Sequence, residues 1–413
     1  MDWLSENHTL IDCEDRMVNL KLPLGESFTY KGTNSKKTTS VITTLKARKM
    51  IRSGPCTFLA SVTDCSNEQT VSSLYIIREF KEVFQKGNRF MPYHMGRVWH
   101  VLSQYGQVEH NVHNGEALSR AWREACRHNG GGVVLVPEGR FLVLPLVLEG
   151  PCKGSIGLNI KGELLAPTMK LFNVNTARIA KITSSNSKLF HFAVHGCRNV
   201  TFDHVTVIAP ADSPNTDGIH VSNSSGVNIM HSMIGTGDDC ISLDHGSKFI
   251  NITDVQCGPG HGISIGSLGK YPNEEDVSEV TVRNSTFVGT TNGVRIKTWS
   301  SSFSSVVSKI TFINLQMKDV KNPIIIDQKY CLDCDKHKMS NSKVQIQDVR
   351  YEDIWGTSAT QVAVNFECSQ VFPCQGILLQ DINLTFNGGG QPTSICHNVK
   401  GSAFGKQLPF SCL

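Results

Sequence analysis

Asn215-Thr216-Asp217-Gly218, Gly237-Asp238-Asp239, Gly260-His261-Gly262 and Arg295-Ile296-Lys297 stand in order within one stretch of about 80 residues. Asp217, Asp239 and His261 are each 22 residues apart, and so are Ile219, Ile241 and Ile263. A fixed period with an aliphatic residue in the same slot is the mark of a repeat architecture, here a parallel β-helix or solenoid. Equivalent residues of successive coils then stack at about 4.8 Å. Asp217, Asp239 and His261 are expected to form one surface column, with Asp238 beside it. The slot after the aliphatic holds His220, Ser242, Ser264 and, 31 residues further on, Arg295. Strand alternation puts Ile219, Ile241, Ile263 and Val294 inside and that slot outside. Arg295 and Lys297, two apart, share the outer face. The extra residues before Arg295 fit a loop over 268–276. Three carboxylates, a histidine and two cations therefore converge on one groove.

The rest of the chain sets bounds on this reading. It has 413 residues and 35 glycines, which suits many tight turns, and a net charge of +4. That charge is too mild to imply nucleic-acid binding. No apolar run reaches the length of a membrane span. The N-terminus has no basic stretch followed by an apolar core, so no signal peptide is visible. Eleven of the fourteen cysteines follow residue 96. Such a number is high for a reducing compartment. The close pairs Cys331/Cys334, Cys368/Cys374 and Cys396/Cys412 suggest disulfides, and Cys126 with Cys152 is placed to pin a cap. A zinc reading of Cys331-x-x-Cys334 is weak, because no second ligand pair stands at metal spacing. Five glycosylation sequons in the same region, at Asn199, Asn223, Asn251, Asn284 and Asn383, agree with a secreted protein.

Residues 1–95 are expected to form a separate head and 96–413 the solenoid. The head shows no 22-residue period. From Val98 the pattern changes. Asn114 is placed to cap a helix through Cys126, with Ala117, Leu118, Ala121, Trp122 and Ala125 on one face. Such a helix covers the open end of a solenoid, which otherwise exposes apolar surface and strand edges. Strands are expected over 131–137 and 141–148, then over 199–207, 227–234, 249–255, 277–288, 306–320, 344–354 and 377–386. Helix-length amphipathic stretches between them are lacking, which argues against a βαβ fold.

From about residue 97 to the end, these motifs resemble those of the plant polygalacturonases, pectin-degrading glycoside hydrolases. The match includes Ser213-Pro214 before Asn215, Cys240 after Asp239, Gly258-Pro259 before Gly260, and Cys368-Ser369 with Pro373-Cys374. The resemblance implies an all-β, right-handed parallel β-helix with a short N-terminal capping helix. It implies hydrolysis of α-1,4 galacturonosyl links in pectin or polygalacturonate with inversion, no cofactor, no metal and a monomer outside the cell. Carried over by residue, Asp238 is the general acid, Asp217 and Asp239 activate water, and His261 supports protonation of the acid. Arg295 and Lys297 bind the sugar carboxylate, and Asn215 and Tyr330 join the substrate-binding set. The loop over 268–275 resembles the exo-acting pollen branch.

Physical chemistry agrees with that assignment. Inversion needs a protonated carboxyl and a carboxylate about 6.5–9.5 Å apart. Crowded carboxylates raise one another's pKa and keep one of them protonated. An anionic substrate needs fixed cations, and Arg offers carboxylates a bidentate fork. Each motif alone reads as an ordinary turn or a solvated face; their joint order and period carry the conclusion. Two other readings stand beside it. One is a pectate lyase, with Asp217, Asp238 and Asp239 holding Ca²⁺. The other is a catalytically impaired wall-binding relic.

Two features depart from the family pattern. After Leu164-Leu165-Ala166-Pro167 a Gly-rich stretch of roughly two coils is missing, which is expected to shift the cap and leave strands unpaired. The bend at Val108–Asn111 is altered. The head in turn resembles gypsy-type retrotransposon polyproteins. Met1–Ser5 and Ile11–Cys13 match the end of the protease, and Ile76–Phe84 matches the linker before the polymerase. No catalytic motif of either enzyme is present there, so no chemistry is assigned to it.

Overall fold

The computed structural model describes residues 114–413 apart from 138–139, 143–145, 162, 166–167, 301 and 332–340. Before residue 114 it describes the backbone of seven short strands. The expectations for the altered bend at 108–111, for the Cys331/Cys334 pair, for the side chain of Asn114 and for most of the head motifs lie outside the described residues.

The chain divides into two compact units, Met1–Gly87 and Asn88–Leu413. The described strands of the first are antiparallel. Leu10–Asp12, Met17–Lys21 and Ser27–Lys31 form one small sheet, and Phe58–Ala60 pairs with Leu74–Ile76. The second unit opens with an antiparallel pair, Met91–Met95 and Val98–Leu102, and Val98–Leu102 then joins Gly132–Val136 in parallel. Every strand pairing after that point is parallel. Parallel neighbours joined without crossover helices define a parallel β-helix.

One sheet runs through Phe192–His195, Ile219–Ser222, Ile241–Leu243, Ile263–Leu268, Asn292–Trp299 and Asn322–Tyr330, and holds ten strands in all. The aliphatic column expected from the 22-residue period is its inner face: Ile219 pairs with Ile241, Ile241 with Ile263, and Ile263 with Val294. All four are fully buried. Burial of each contributes about 1.5–3 kcal/mol. A continuous interior column therefore fixes the register of the bends at the strand ends, where a one-residue slip would turn the isoleucines to solvent.

Among the described residues there is one helix, Asn114–Arg127. Ala117, Leu118, Ala121, Trp122 and Ala125 form its buried face. The Trp122 indole donates to the Glu149 carbonyl at 3.0 Å, and a Cys126–Cys152 disulfide ties the helix end to the first coils. The expected run over 141–148 divides into Arg140–Leu142 and Leu146–Glu149. These strands belong to different sheets.

The shortened N-terminal part leaves its described strands paired, contrary to the expectation. Leu146–Glu149 pairs with Met169–Phe172, which pairs with Phe192–His195, and Glu163–Leu165 lies between Arg140–Leu142 and Thr183–Ser185. In a solenoid, removing whole coils brings equivalent strand edges together, so the ladder closes.

Candidate active site

The sheet above carries the expected groove residues at the bends preceding its strands. Gly218 precedes Ile219 because a Cβ there would stand 2.4 Å from Ile234 Cγ2 and 2.5 Å from the Cys240 carbonyl. Gly262 takes a left-handed φ of 86°, and a Cβ would meet the Asn292 carbonyl at 2.1 Å. These tight approaches let the bends stack: the Gly218 amide donates to the Asp239 carbonyl at 3.0 Å and the Cys240 amide to the Gly262 carbonyl at 2.8 Å. A Cys240–Cys257 disulfide ties the Asp238-Asp239 bend to the end of the strand Lys248–Cys257. Sequence reading missed it. The signal was present in Cys240 directly after the paired aspartates and Cys257 directly before the Gly258-Pro259 bend.

Asp239 is the hub. Arg295 Nη2 donates to its Oδ1 at 2.8 Å, Ser264 Oγ to the same oxygen at 2.7 Å, and Lys297 Nζ to Oδ2 at 2.9 Å. Arg295 Nε also donates to Ser264 Oγ at 3.0 Å. Asp217 has fewer partners. Ser242 Oγ donates to its Oδ2 at 2.6 Å, and His220 Nδ1 stands 4.0 Å from that oxygen with its ring stacked on Phe190. Asp238 accepts the Asp239 amide at 2.8 Å, and His261 Nδ1 lies 3.1 Å from the same Oδ1. Tyr330 places its ring 5.3 Å from Lys297 Nζ and edge-on to Trp299 at 5.1 Å. Lys270, in the expected loop, lies over the other aromatic, 5.3 Å from the Trp299 ring centre. Asn215 is exposed in the bend before Thr216, with a left-handed φ of 52°. The structure thus brings Asp217, Asp238, Asp239, His261, Arg295, Lys297 and Tyr330 together, and adds Ser242, Ser264, His220 and Trp299 as supports.

Two expectations are corrected. Asp217, Asp239 and Lys297 are buried rather than lying on an open surface. They form the floor of the groove, covered by the side chains that engage them. The raised carboxyl is also not Asp238. Burial pushes Asp217 up, Asp239 and to a lesser degree Asp238 push it further, and the Ser242 hydrogen bond opposes them; the group reaches about 7. Burial pushes Asp238 up too, but the His261 hydrogen bond and charge, the Asp239 amide and Lys297 outweigh it and hold it below its ordinary value. The carboxylate that no cation contacts, and whose nearest histidine nitrogen stands 4.0 Å away, is the one whose pKa is raised.

A stability prediction follows from Asp217. Its folded pKa lies above the unfolded value, so the folded chain binds the extra proton. This group's contribution therefore falls as pH rises from about 4 to about 7, and the full penalty is present above that window. Asp217→Asn is expected to melt a few degrees above the parent at pH 8 and to show no such gain at pH 3.5, by scanning calorimetry. An equal shift at both pH values would refute the proton linkage.

One groove of this parallel β-helix thus holds three crowded carboxylates, the buried Lys297 and the largely covered Arg295. The profile of the glycosyl hydrolases family 28 matches residues 165–407. The exopolygalacturonase of Oenothera organensis is 41% identical over 351 positions, covering 72% of this chain and 97% of the relative. Those positions outnumber the residues in 72% of this chain, so the relative carries residues with no counterpart here. A polygalacturonase of Gossypium barbadense is 40% identical, covering 71% of this chain and 84% of its own. Among solved structures, the endo-xylogalacturonan hydrolase from Aspergillus tubingensis shares the fold with a TM-score of 0.60 at 19% identity, covering 75% of this chain and 100% of that one. The exopolygalacturonase from Thermotoga maritima does so at 0.56 and 16%, covering 76% and 94%. The chain belongs to the glycosyl hydrolases family 28.

Proposed function

We propose that this chain hydrolyses α-1,4 galacturonosyl links of polygalacturonate with inversion, taking units from chain ends. The observation that carries this reading is the pair Arg295 and Lys297 fixed on Asp239 beside two further carboxylates. It provides fixed positive charge for an anionic sugar next to acid and base groups. The relatives named as exopolygalacturonases support attack from an end.

In this reading Asp238 protonates the leaving oxygen, and Asp239 together with the ionised form of Asp217 activates the water, so this base step is favoured as pH rises through about 7. An incoming galacturonate adds negative charge, which favours the protonated form of Asp238. His261, 3.1 Å from that carboxyl, returns the proton after each turnover. Arg295, Lys297, Tyr330 and Asn215 hold the sugar. The calcium-dependent lyase is the poorer reading, because both Asp239 oxygens already take cationic donors, and these would repel a divalent ion.

Polygalacturonate treated with the protein is expected to gain reducing ends with no near-ultraviolet absorbance from unsaturated products and no loss of rate on chelation. Viscosity should fall slowly relative to cleavage. Chelator-sensitive unsaturated products would establish elimination instead, and oligogalacturonate binding without products would establish the relic.

Four disulfides and exposed sequon residues Asn199, Asn251 and Asn284 support a secreted, cell-wall setting. We also propose that residues 1–87 take no part in catalysis, since every proposed site residue falls within Asn88–Leu413. A chain beginning at Asn88 is expected to keep kcat/KM unchanged; loss of activity or of the melting transition would overturn this.

A further inference from the structure

Away from the groove, the bend before the other sheet's strands carries a second cluster. Asp203 pairs in the ladder with Met230 of the next coil, so the residues that follow them, His204 and His231, stack on one another. Their ring centres are 5.0 Å apart. Both imidazoles turn Nδ1 toward the same Asp203 oxygen, Oδ1, at 2.7 and 2.9 Å. Asp203 is buried, whereas the two rings are open to solvent on their other edges. Arg178 Nη2 donates to Asp203 Oδ2, which leaves Oδ1 to the histidines. Asp254, one coil further on, lines the same surface groove as the two rings. Both histidines hold left-handed φ values of 54° and 48°. This conformation is uncommon outside glycine, and here it turns both rings back over the aspartate.

The geometry points to a divalent-metal site formed by Asp203 Oδ1, His204 Nδ1 and His231 Nδ1, suited to a late first-row ion such as Zn²⁺. Two imidazole nitrogens and one carboxylate oxygen are the donors such ions favour, and hard Ca²⁺ and Mg²⁺ do not. Bonds of ~2.1 Å place adjacent ligands ~3.0 Å apart at right angles and ~3.4 Å apart in a tetrahedron. The observed 2.7 and 2.9 Å are hydrogen-bond separations, shorter than both spacings, so an ion would take the place of the Nδ1 protons and spread the three atoms by about 0.1–0.7 Å, with its other side toward solvent and Asp254. Because Asp203 and His204 belong to one coil and His231 to the next, the ion would clip two coils together. No group of the catalytic groove takes part.

Calorimetric titration of the full chain with zinc chloride at neutral pH tests the site. The expected result is one binding event that weakens at least tenfold in His204→Asn and in His231→Asn, together with a zinc-dependent rise in melting temperature that both variants lose. Asn accepts the left-handed backbone, so melting temperatures equal to the parent's without metal will show that the coils are intact. The trio Asp238, Asp239 and His261 also brings three donor atoms within 4.8 Å. His261→Ala is therefore measured in parallel and is expected to retain the zinc event. Absence of zinc binding by the parent, zinc binding unchanged in both Asn variants, or loss of the event in His261→Ala would each overturn the assignment. The trio would then be a hydrogen-bonded cluster only.

Discussion

Asp238→Asn is expected to lower kcat for reducing-end release from polygalacturonate about a thousandfold, the scale of a lost general acid. The melting temperature should stay close to the parent's. Asn keeps the oxygen that accepts the Asp239 amide and can still face His261, so the bend has its hydrogen bonds. What it lacks is a transferable proton at the glycosidic oxygen. Substrate affinity should change little, because the cations proposed to bind the sugar are held by Asp239 and not by Asp238. The measurement is steady-state kinetics beside a calorimetric scan. A fall of less than about tenfold would remove Asp238 from the acid role, given the usual worth of that role.

Asp239→Asn is expected to produce the largest stability loss of any single change in the groove, about 3–5 kcal/mol. The side chains of Arg295 and Lys297 are only 13% and 10% exposed, and both donate to this one carboxylate. Without it the buried Lys297 and the largely covered Arg295 face a neutral amide. Activity should vanish as well, so activity alone cannot report the mechanism of the loss. A double change separates the two effects. Asp239→Asn with Lys297→Met removes one of the stranded charges, and urea unfolding should recover part of the stability while activity stays absent. If the double variant is no more stable than the single one, the charge-pairing account fails.

The fold was legible where the sequence repeats one physical requirement. Ile219, Ile241 and Ile263 must all be buried, so their spacing gives both the solenoid and the register. The helix Asn114–Arg127 was legible for the same reason, as one apolar stripe at helical spacing. Residue identities in the groove were legible from the four motifs. Their electrostatics were not, because these depend on which cation meets which carboxylate. Arg295 and Lys297 reach Asp239 from 56 and 58 residues away, and no local pattern says that they choose it over Asp217. That choice leaves Asp217 as the raised carboxyl. Alternation likewise gives inside and outside, but it does not show that an outward Ser242 or Ser264 will be covered and become a hydrogen-bond support. The Cys240–Cys257 bridge joins adjacent coils at a bend, where strand periodicity carries no information.

The unbroken pairing of Leu146 with Met169 and of Met169 with Phe192 bears on how such enzymes change over time. Each turn receives and presents the same edge, so chain length can vary in whole turns upstream of Ile219 while every bend downstream keeps its neighbours. The cutting machinery is thereby insulated from insertions and losses in the track that leads to it. The number of turns before the groove and the residues of the groove itself are free to diverge separately, one by counting turns and the other by single substitutions.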